Sequence, residues 1–438
     1  MAEYELRDPI HQRITFSAFE RSIIDHPFLQ RLRFISQLGF IQSSVYPGAV
    51  HDRFAHAIGA MHVAGRLFQH MIGCSGYFRE RLTPQEREAL ASRVRLAGLL
   101  HDLGHGPFSH ASESVFPPLA TLPLDWSWWK TRTDRQAIHE DYSVLLIQTL
   151  AREGLFDEMF AQDLCALIHT DVRPSPSFVS LAETSPGLKP VLKGMISGEV
   201  DADRMDYLLR DSYYCGVAYG QYDLDWLISA LSVAEHDGRL IVALSENGVR
   251  AYEDFLLARY HMIDQVYYHK TKAGFAHYLE EAIRQNEIDL TIPTDPYAYA
   301  QLRDGAVIER LFEAARDPAN YWASHLIRRV PAKRILRLHA DHPDDAQTLE
   351  RLKAFCDEQR LGWFVHAVSN QLTNFDQGES ERATMLYVCK QRVHGVEYVP
   401  IFQYSDLLQT YNKKLRFTDF FVLREDAHRF ETVKHLFS

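Results

Sequence analysis

The run Leu99-Leu100-His101-Asp102-Leu103-Gly104-His105-Gly106-Pro107-Phe108-Ser109-His110 decides how the rest of the chain is read. It leaves a helical segment and ends in a loop, and it places three histidines and a carboxylate within ten residues. Adjacent residues such as His101 and Asp102 cannot share one helix face as an (i, i+4) pair does. At a helix end, where Gly104, Gly106 and Pro107 turn the backbone, both side chains can still reach one metal ion. Alone, the dipeptide says almost nothing. Its meaning depends on what the flanking segments bring to it.

Upstream, Thr83-Pro84-Gln85-Glu86 is a capping box with proline at the first helical position. The helix it opens carries Leu90, Val94, Ala97, Gly98 and Leu100, a stripe with small residues that predicts close packing by another helix. A candidate partner begins near His51, after the turn Tyr46-Pro47-Gly48-Ala49. Its apolar side holds Phe54, Ile58, Met61, Ala64 and Gly65, with His56 on or beside it; alone, such a histidine reads as a core residue with a hydrogen-bond partner. Downstream, Asp203, Tyr207 and Asp211 fall on one helical face, and Met205, Leu208 and Leu209 on the other.

The remaining segments set the architecture. A short extended stretch and two helical pieces fill residues 1–40, broken at His26-Pro27. In the second piece Leu29, Leu32, Phe34 and Ile35 are expected inward, with Gln30, Arg31 and Arg33 on a solvated face. Pro117 to Arg135, with Trp126, Trp128 and Trp129, reads as an irregular insertion, a lid or an interface. His139-Glu140 opens another amphipathic helix. Residues 239–244 form a short strand, and a long helix then runs to about His269. Beyond about 330 short β-rich runs and two helices replace the long helices. The expected fold is mainly α, with a helical core over 1–329 and a smaller C-terminal α/β region over 330–438.

Composition narrows the function classes. The chain has 438 residues, 46% of them hydrophobic, enough for a substantial core. Charges interrupt every apolar run well short of about 18 residues, so no membrane-spanning helix is expected. The N-terminus has no signal-like apolar region, so a cytoplasmic location is expected. Cys74, Cys165, Cys215, Cys356 and Cys389 are scattered, odd in number and free of any CxxC pair, against a disulfide framework or a zinc ribbon. A net charge of −11 disfavours nucleic acid as the main partner and requires a local cationic or metal site for an anionic substrate.

Taken together, the helical part offers His56, His101, Asp102 and Asp203, two imidazoles and two carboxylates that suit Fe, Mn, Zn or Mg. Around them stand His105, His110 and His139 and the cations Arg53, Arg204 and Arg259, able to hold a polyphosphate and to move a proton. The pattern resembles the H…HD…D signature of HD-domain metal-dependent phosphohydrolases. The likeness extends through Gln30-Arg31-Leu32-Arg33, Gln37-Leu38-Gly39, Tyr46-Pro47-Gly48-Ala49, His51-Asp52-Arg53-Phe54-Ala55-His56, Asp203-Arg204-Met205-Asp206-Tyr207 and Arg210-Asp211. Over about residues 5–285 it is similar to the deoxynucleoside triphosphate triphosphohydrolases; past 330 it is faint, and no SAM domain is expected ahead of it.

That resemblance implies an all-helical HD core that cleaves a dNTP into deoxynucleoside and triphosphate by water attack at the α-phosphorus. It implies His56, His101, Asp102 and Asp203 as metal ligands, and His105, His110 and His139 lining the phosphate pocket. His110 or His139 protonates the leaving 5′-oxygen, with Glu113 orienting His110. Arg53, Arg204 and Arg259 stand at phosphate-contacting positions, although the family has Lys where Arg204 stands. Gln37, Leu38, Tyr207, Asp211 and Tyr267 grip the nucleoside, and a second Mg ion accompanies the triphosphate. Asp25, Gln30, Arg33, Lys333 and Arg337 match an activating GTP or dNTP site in a homo-oligomer, dimer or tetramer, whereas Tyr4 and Trp226 stand where that site has basic residues. Two other readings are another HD phosphohydrolase, acting on nucleoside monophosphates or cyclic nucleotides, and a nucleotide-sensing regulator without turnover.

Overall fold

Two helices that cross at small residues form the centre of the molecule. The computed structural model describes residues 4–183, 185–339, 342–370, 385–393, 395–411, 415–433 and 437. Helix α1 (Arg53–Phe68) is capped by Asp52, whose side chain accepts from the Ala55 amide at 2.8 Å. Helix α2 (Pro84–Leu100) starts at the expected Thr83/Glu86 box. A Cβ on Gly98 would lie 3.0 Å from the Ala60 carbonyl and from the Ala64 methyl, so the small residues let the two backbones approach. Around this pair stand α3 (His139–Arg152), α4 (Ala202–Cys215), α5 (Val249–Met262) and α6 (Lys270–Arg284). Their inner faces join one apolar core.

The sheets are small. Strands β1 (Tyr4–Asp8) and β2 (Gln12–Phe16) form an N-terminal hairpin. β3 (Leu231–His236) and β4 (Arg239–Ser245) form another, an antiparallel pair. Three more strands follow: β5 (Lys333–His339), β6 (Trp363–Asn370) and β7 (Leu386–Arg392). β8 (Gly395–Pro400) and β9 (Leu415–Val422) complete the set. β5, β9 and β6 make an antiparallel sheet with its own apolar cluster under the helix Pro343–Glu358. β7 pairs in parallel with β4, Val242 opposite Leu386, so strands from both sides of residue 330 share a sheet. The fold is mainly α with a smaller α/β part, as the sequence pattern predicts.

Several local expectations are corrected. Arg31–Phe34 is a 3₁₀ turn, and it departs from the expected sides, with Arg31 inward and Phe34 outward. Arg31 is buried, donates to the Leu302 carbonyl at 2.9 Å and lies over the Tyr299 ring; Phe34 is 54% exposed. Within 117–135, Trp128 and Trp129 are buried, and Trp129 packs on His169, so this stretch belongs to the core rather than to a lid. The helix expected to reach His269 ends at Met262 and widens into a π-type turn over Ile263–Tyr267. The closing helix covers Ala427–Glu431, and residues 434–436 lie outside those described. The five cysteines are free thiols. Among the described residues no helix is long and apolar enough to cross a membrane.

Candidate active site

α1, the end of α2 and the start of α4 converge on four side chains. His56 Nε2 lies 3.0 Å from Asp203 Oδ1 and 3.6 Å from Asp102 Oδ2; His101 Nε2 lies 3.5 Å from the same Asp203 oxygen and 3.4 Å from Asp102 Oδ1. His101 Nδ1 meets the Gly98 carbonyl at 2.8 Å and His56 Nδ1 meets Asp206 at 2.8 Å. Each contact assigns a proton to Nδ1, so the neutral form of each ring presents its Nε2 lone pair toward the carboxylates. Both Nε2 atoms are buried without a hydrogen-bond partner. Two such lone pairs against two carboxylates fit a divalent ion, and His56, His101 and Asp102 can hold one.

The charges follow from burial and neighbours. Burial alone would raise the Asp102 carboxyl, but His101 and the Arg53 guanidinium, paired with it directly, hold it well below the carboxylate range. Burial opposes ionisation of Asp203 too, and His101 and His56 overcome it. Burial depresses His56, yet Asp203 and Asp206 lift it to about 10 in the metal-free protein. His105 is pushed well below its usual value by burial, with Arg53 and His139 adding to the effect.

The loop after Asp102 carries the next group. Gly104 packs on the first turn of α3: a Cβ there would sit 2.1 Å from the His139 carbonyl and 2.2 Å from the Ser143 amide. Ser143 Oγ donates to the His101 carbonyl and accepts from the Gly104 amide. This contact brings His139 onto His105, rings stacked at 3.8 Å, and Asp102, His105 and His139 form a second group able to hold a cation. Farther along, Phe108 and Ser109 adopt left-handed φ of 59° and 60°, a strained geometry held by Asp304 on the Phe108 amide and by Ser109 Oγ between Arg53 and the Ser36 carbonyl.

Behind His56 lies a buried ionic layer for which no role was read from the sequence. Asp206 accepts from Arg210 through both oxygens, each at 2.8 Å, and meets His11 Nε2 at 2.7 Å. Arg210 also donates to Asp8 at 2.8 Å. The turn of the N-terminal hairpin thus reaches the back of a candidate metal ligand, and only a glycine at position 59 leaves room for Asp206 and Arg210. The one available sequence signal was Asp206 itself, an acid on a helix beside Met205 and Leu209.

In front of the cluster opens a cavity of about 600 Å³ lined at one end by Asp102, His105, His139, Arg53 and Asp203. Gln37, Leu38, Tyr207, Asp211 and Tyr267 line its middle. Asp211 accepts from the Tyr267 hydroxyl and meets His51 Nε2, both at 2.7 Å.

Comparison with known proteins gives this arrangement a family. A family model described as HD domain matches residues 53–211, and one described as HD associated region matches 222–356. The chain is an HD-domain protein with an HD-associated region. It is 33% identical over 272 residues to the uncharacterised protein YwfO of Bacillus subtilis, covering 61% of this chain and 52% of that one. It is 29% identical over 359 residues to the deoxynucleoside triphosphate triphosphohydrolase SAMHD1 of Homo sapiens, covering 76% and 54%. The chain spans about half the length of these curated relatives. A crystal structure of a hypothetical protein from Aquifex aeolicus superposes with a TM-score of 0.73 at 27% identity, over 98% of this chain and 99% of that one. A phosphohydrolase from Bacteroides thetaiotaomicron gives 0.67 at 22%, over 96% and 100%, and shares the fold.

Within the HD-domain framework, the expected residues separate into those that meet and those that do not. His56, His101, Asp102, Asp203, His105 and His139 meet; the His110 side chain lies outside the described ones. Glu113, expected to orient His110, meets His139 Nδ1. Arg204 turns to Asp201 and the Gly198 carbonyl, and Arg259 is buried on α5; neither lines the cavity as described. Asp25 accepts from Arg21, Gln30 from Arg33, and Arg33 lies over the Phe54 ring. Lys333 pairs with Glu431, while Arg337 is held by the buried Asp419 and by Asp264. Among the described residues no hydrogen bond joins Asp25, Gln30 and Arg33 to Lys333 and Arg337.

Proposed function

We propose that this chain hydrolyses deoxynucleoside triphosphates to deoxynucleoside and triphosphate. The observation that supports it best is one cavity lined both by Asp102, His105 and Asp203 of the His/Asp cluster and by the Asp211–Tyr267 pair. The likeness to proteins named for this activity supports the same reading.

His56, His101, Asp102 and Asp203 would hold the divalent ion, Fe, Mn, Zn or Mg. Such an ion lowers the pKa of a bound water and polarises a phosphoryl oxygen. Arg53, ion-paired to Asp102, adds fixed positive charge at the phosphate end. His105, kept neutral, presents a hydrogen-bonding imidazole rather than a charge. His139, steadied by Glu113, is the proposed general acid: it protonates the 5′-oxygen as the bond from that oxygen to the α-phosphorus breaks. Asp211 and Gln37 take the 3′-hydroxyl, and Tyr207 packs where a ribose 2′-hydroxyl would stand. Activation by GTP or a dNTP in a homo-oligomer belongs to the same proposal; mass and rate measured with and without GTP test it, and unchanged values reject it.

The deciding experiment gives purified protein Mn, Fe or Mg with each dNTP and NTP in ¹⁸O-labelled water. Deoxynucleoside and labelled triphosphate are expected, with no label in the nucleoside. Monophosphate as the sole phosphorus product, or turnover of ribonucleotides alone, would overturn the reading.

A further inference from the structure

Past Asp211 and Tyr267 the cavity ends on polar groups that the proposed chemistry leaves unused. Lys272, from the first turn of α6, and His366, from β6, both line it, beside Ile263, Tyr268 and Ala276. Lys272 is partly buried, and its ammonium is drawn electrostatically by Asp211. Asp211 meets His51 with one oxygen and accepts from the Tyr267 hydroxyl with the other. Among the described residues no acceptor lies within hydrogen-bond distance of Lys272 Nζ. His366 Nδ1 is likewise buried without a hydrogen-bond partner. Burial pushes both groups below their usual pKa; on His366, Asp419 opposes the shift and Lys272 and Arg337 add to it.

A buried donor without an acceptor is costly, more so when charged. A buried imidazole nitrogen without a partner, beside an ammonium that makes no hydrogen bond among the described residues, marks a place for a ligand that brings acceptors. An ammonium carries three donors and no acceptor, so it selects against an N–H₂ group placed opposite it. With a deoxynucleotide bound as proposed above, triphosphate at the His/Asp cluster and sugar at Asp211, the base is the part that reaches Lys272 and His366. On the major-groove edge guanine offers O6 beside N7, and thymine offers O4. Adenine and cytosine carry an exocyclic amine at the corresponding corner.

We propose that Lys272 and His366 form a base-edge subsite that favours deoxynucleotides with a keto oxygen at that corner over those with an amine. Lys272 donates to the keto oxygen, and the N–H of the His366 ring donates to N7 when the base is a purine. The subsite rests on the dNTP reading and takes one side from the helical core and the other from the C-terminal sheet. Glu280, two turns beyond Lys272 on α6 and about 12 Å along its axis, stands at the open end and is no part of this pair.

Two matched nucleotide pairs isolate the contact: dITP against dATP and dUTP against dCTP, each differing at the keto or amine corner and the adjacent ring nitrogen. Affinity is measured by calorimetry and kcat/KM by triphosphate release. The keto member of each pair is expected to be favoured by about tenfold in both. Lys272→Met brings each pair to within about twofold, Lys272→Arg keeps the order, and His366→Phe weakens dITP more than dUTP. Equal affinities within each wild-type pair, or a uniform loss for all four nucleotides in Lys272→Met, would overturn the subsite. Failure of the hydrolysis reading appears separately, as an absence of released triphosphate, and leaves the affinity order to decide the subsite.

Discussion

Replacing Gly59 by alanine tests the buried layer behind His56 with one methyl group. The added Cβ would stand 1.8 Å from Asp206 Oδ1, 2.4 Å from Arg210 Nη2 and 2.6 Å from Asp206 Cγ. Since non-bonded heavy atoms are comfortable at about 3.5 Å, the carboxylate must retreat by more than about 1 Å. It has nowhere to go without breaking contacts: Asp206 and Arg210 are fully buried, and Asp206 holds His11, His56 and both bonds from Arg210. Disrupting a buried ion pair costs about 3–5 kcal/mol. Removing a helical glycine returns about 1 kcal/mol. The net loss is about 2–4 kcal/mol. It is read as a lower urea midpoint at unchanged slope. His56 also loses the acceptor that fixes its tautomer, so affinity for Mn²⁺ should fall by about 10–100-fold in calorimetric titration. Gly194→Ala, whose Cβ meets nothing within 4 Å, serves as control and should leave both measurements near the parent. A Gly59→Ala protein within about 0.5 kcal/mol of the parent and equal to it in Mn²⁺ affinity would refute the packing argument.

Three other outcomes follow from the site. His101→Ala and Asp203→Ala should each abolish stoichiometric metal binding, measured by elemental analysis, and lower triphosphate release by about 10³-fold or more, a loss of several kcal/mol of transition-state stabilisation. Tyr267→Phe deletes the hydrogen bond to Asp211 and should raise KM by about five- to tenfold with kcat nearly unchanged; a fall in kcat alone would contradict a binding role. His62 is depressed to about 4, first by burial and then by His11, Arg66 and Arg95. Its contribution to stability is therefore intact above its unfolded value of about 6.5 and is lost as pH falls through 4, about 3 kcal/mol between pH 7 and 4. Urea midpoints across that range should show His62→Gln with a shallower acid loss than the parent; parallel profiles would dismiss the assignment.

Local pattern made the helices around the candidate site legible. The Thr83 box, the small residues Ala97 and Gly98, and the 203–207–211 spacing all describe what lies within one or two turns of a residue, and the structure has them there. The linear order of residues gave no access to what packs behind and across the site. Asp206 meets His11, 195 positions away, and its neighbour Arg210 meets Asp8, 202 positions away, links that no periodicity reveals. Arg31 reads as a solvated face until a 3₁₀ turn changes its direction. Lys272 and His366 come from segments with different textures, and only the placement of the C-terminal sheet puts them on one cavity. Arg204 and Arg259, expected among the cations around the site, are drawn inward by local partners and burial instead of lining the cavity.

The hairpin turn sets an order on assembly. Residues 8 and 11 leave the ribosome early, yet their partners, 210 and 206, follow 202 and 195 positions later. During synthesis, then, His11 and Asp8 have no counterpart, and His56 has no acceptor to fix its ring. A loop of that length closes late, after the local helices have formed. The candidate metal site is therefore complete only once α4 has docked, and any ion it takes is captured as a closing event in the life of the nascent chain. Anything fused directly before Tyr4 that slows hairpin docking should show up first as a deficit in metal content, ahead of any deficit in helix.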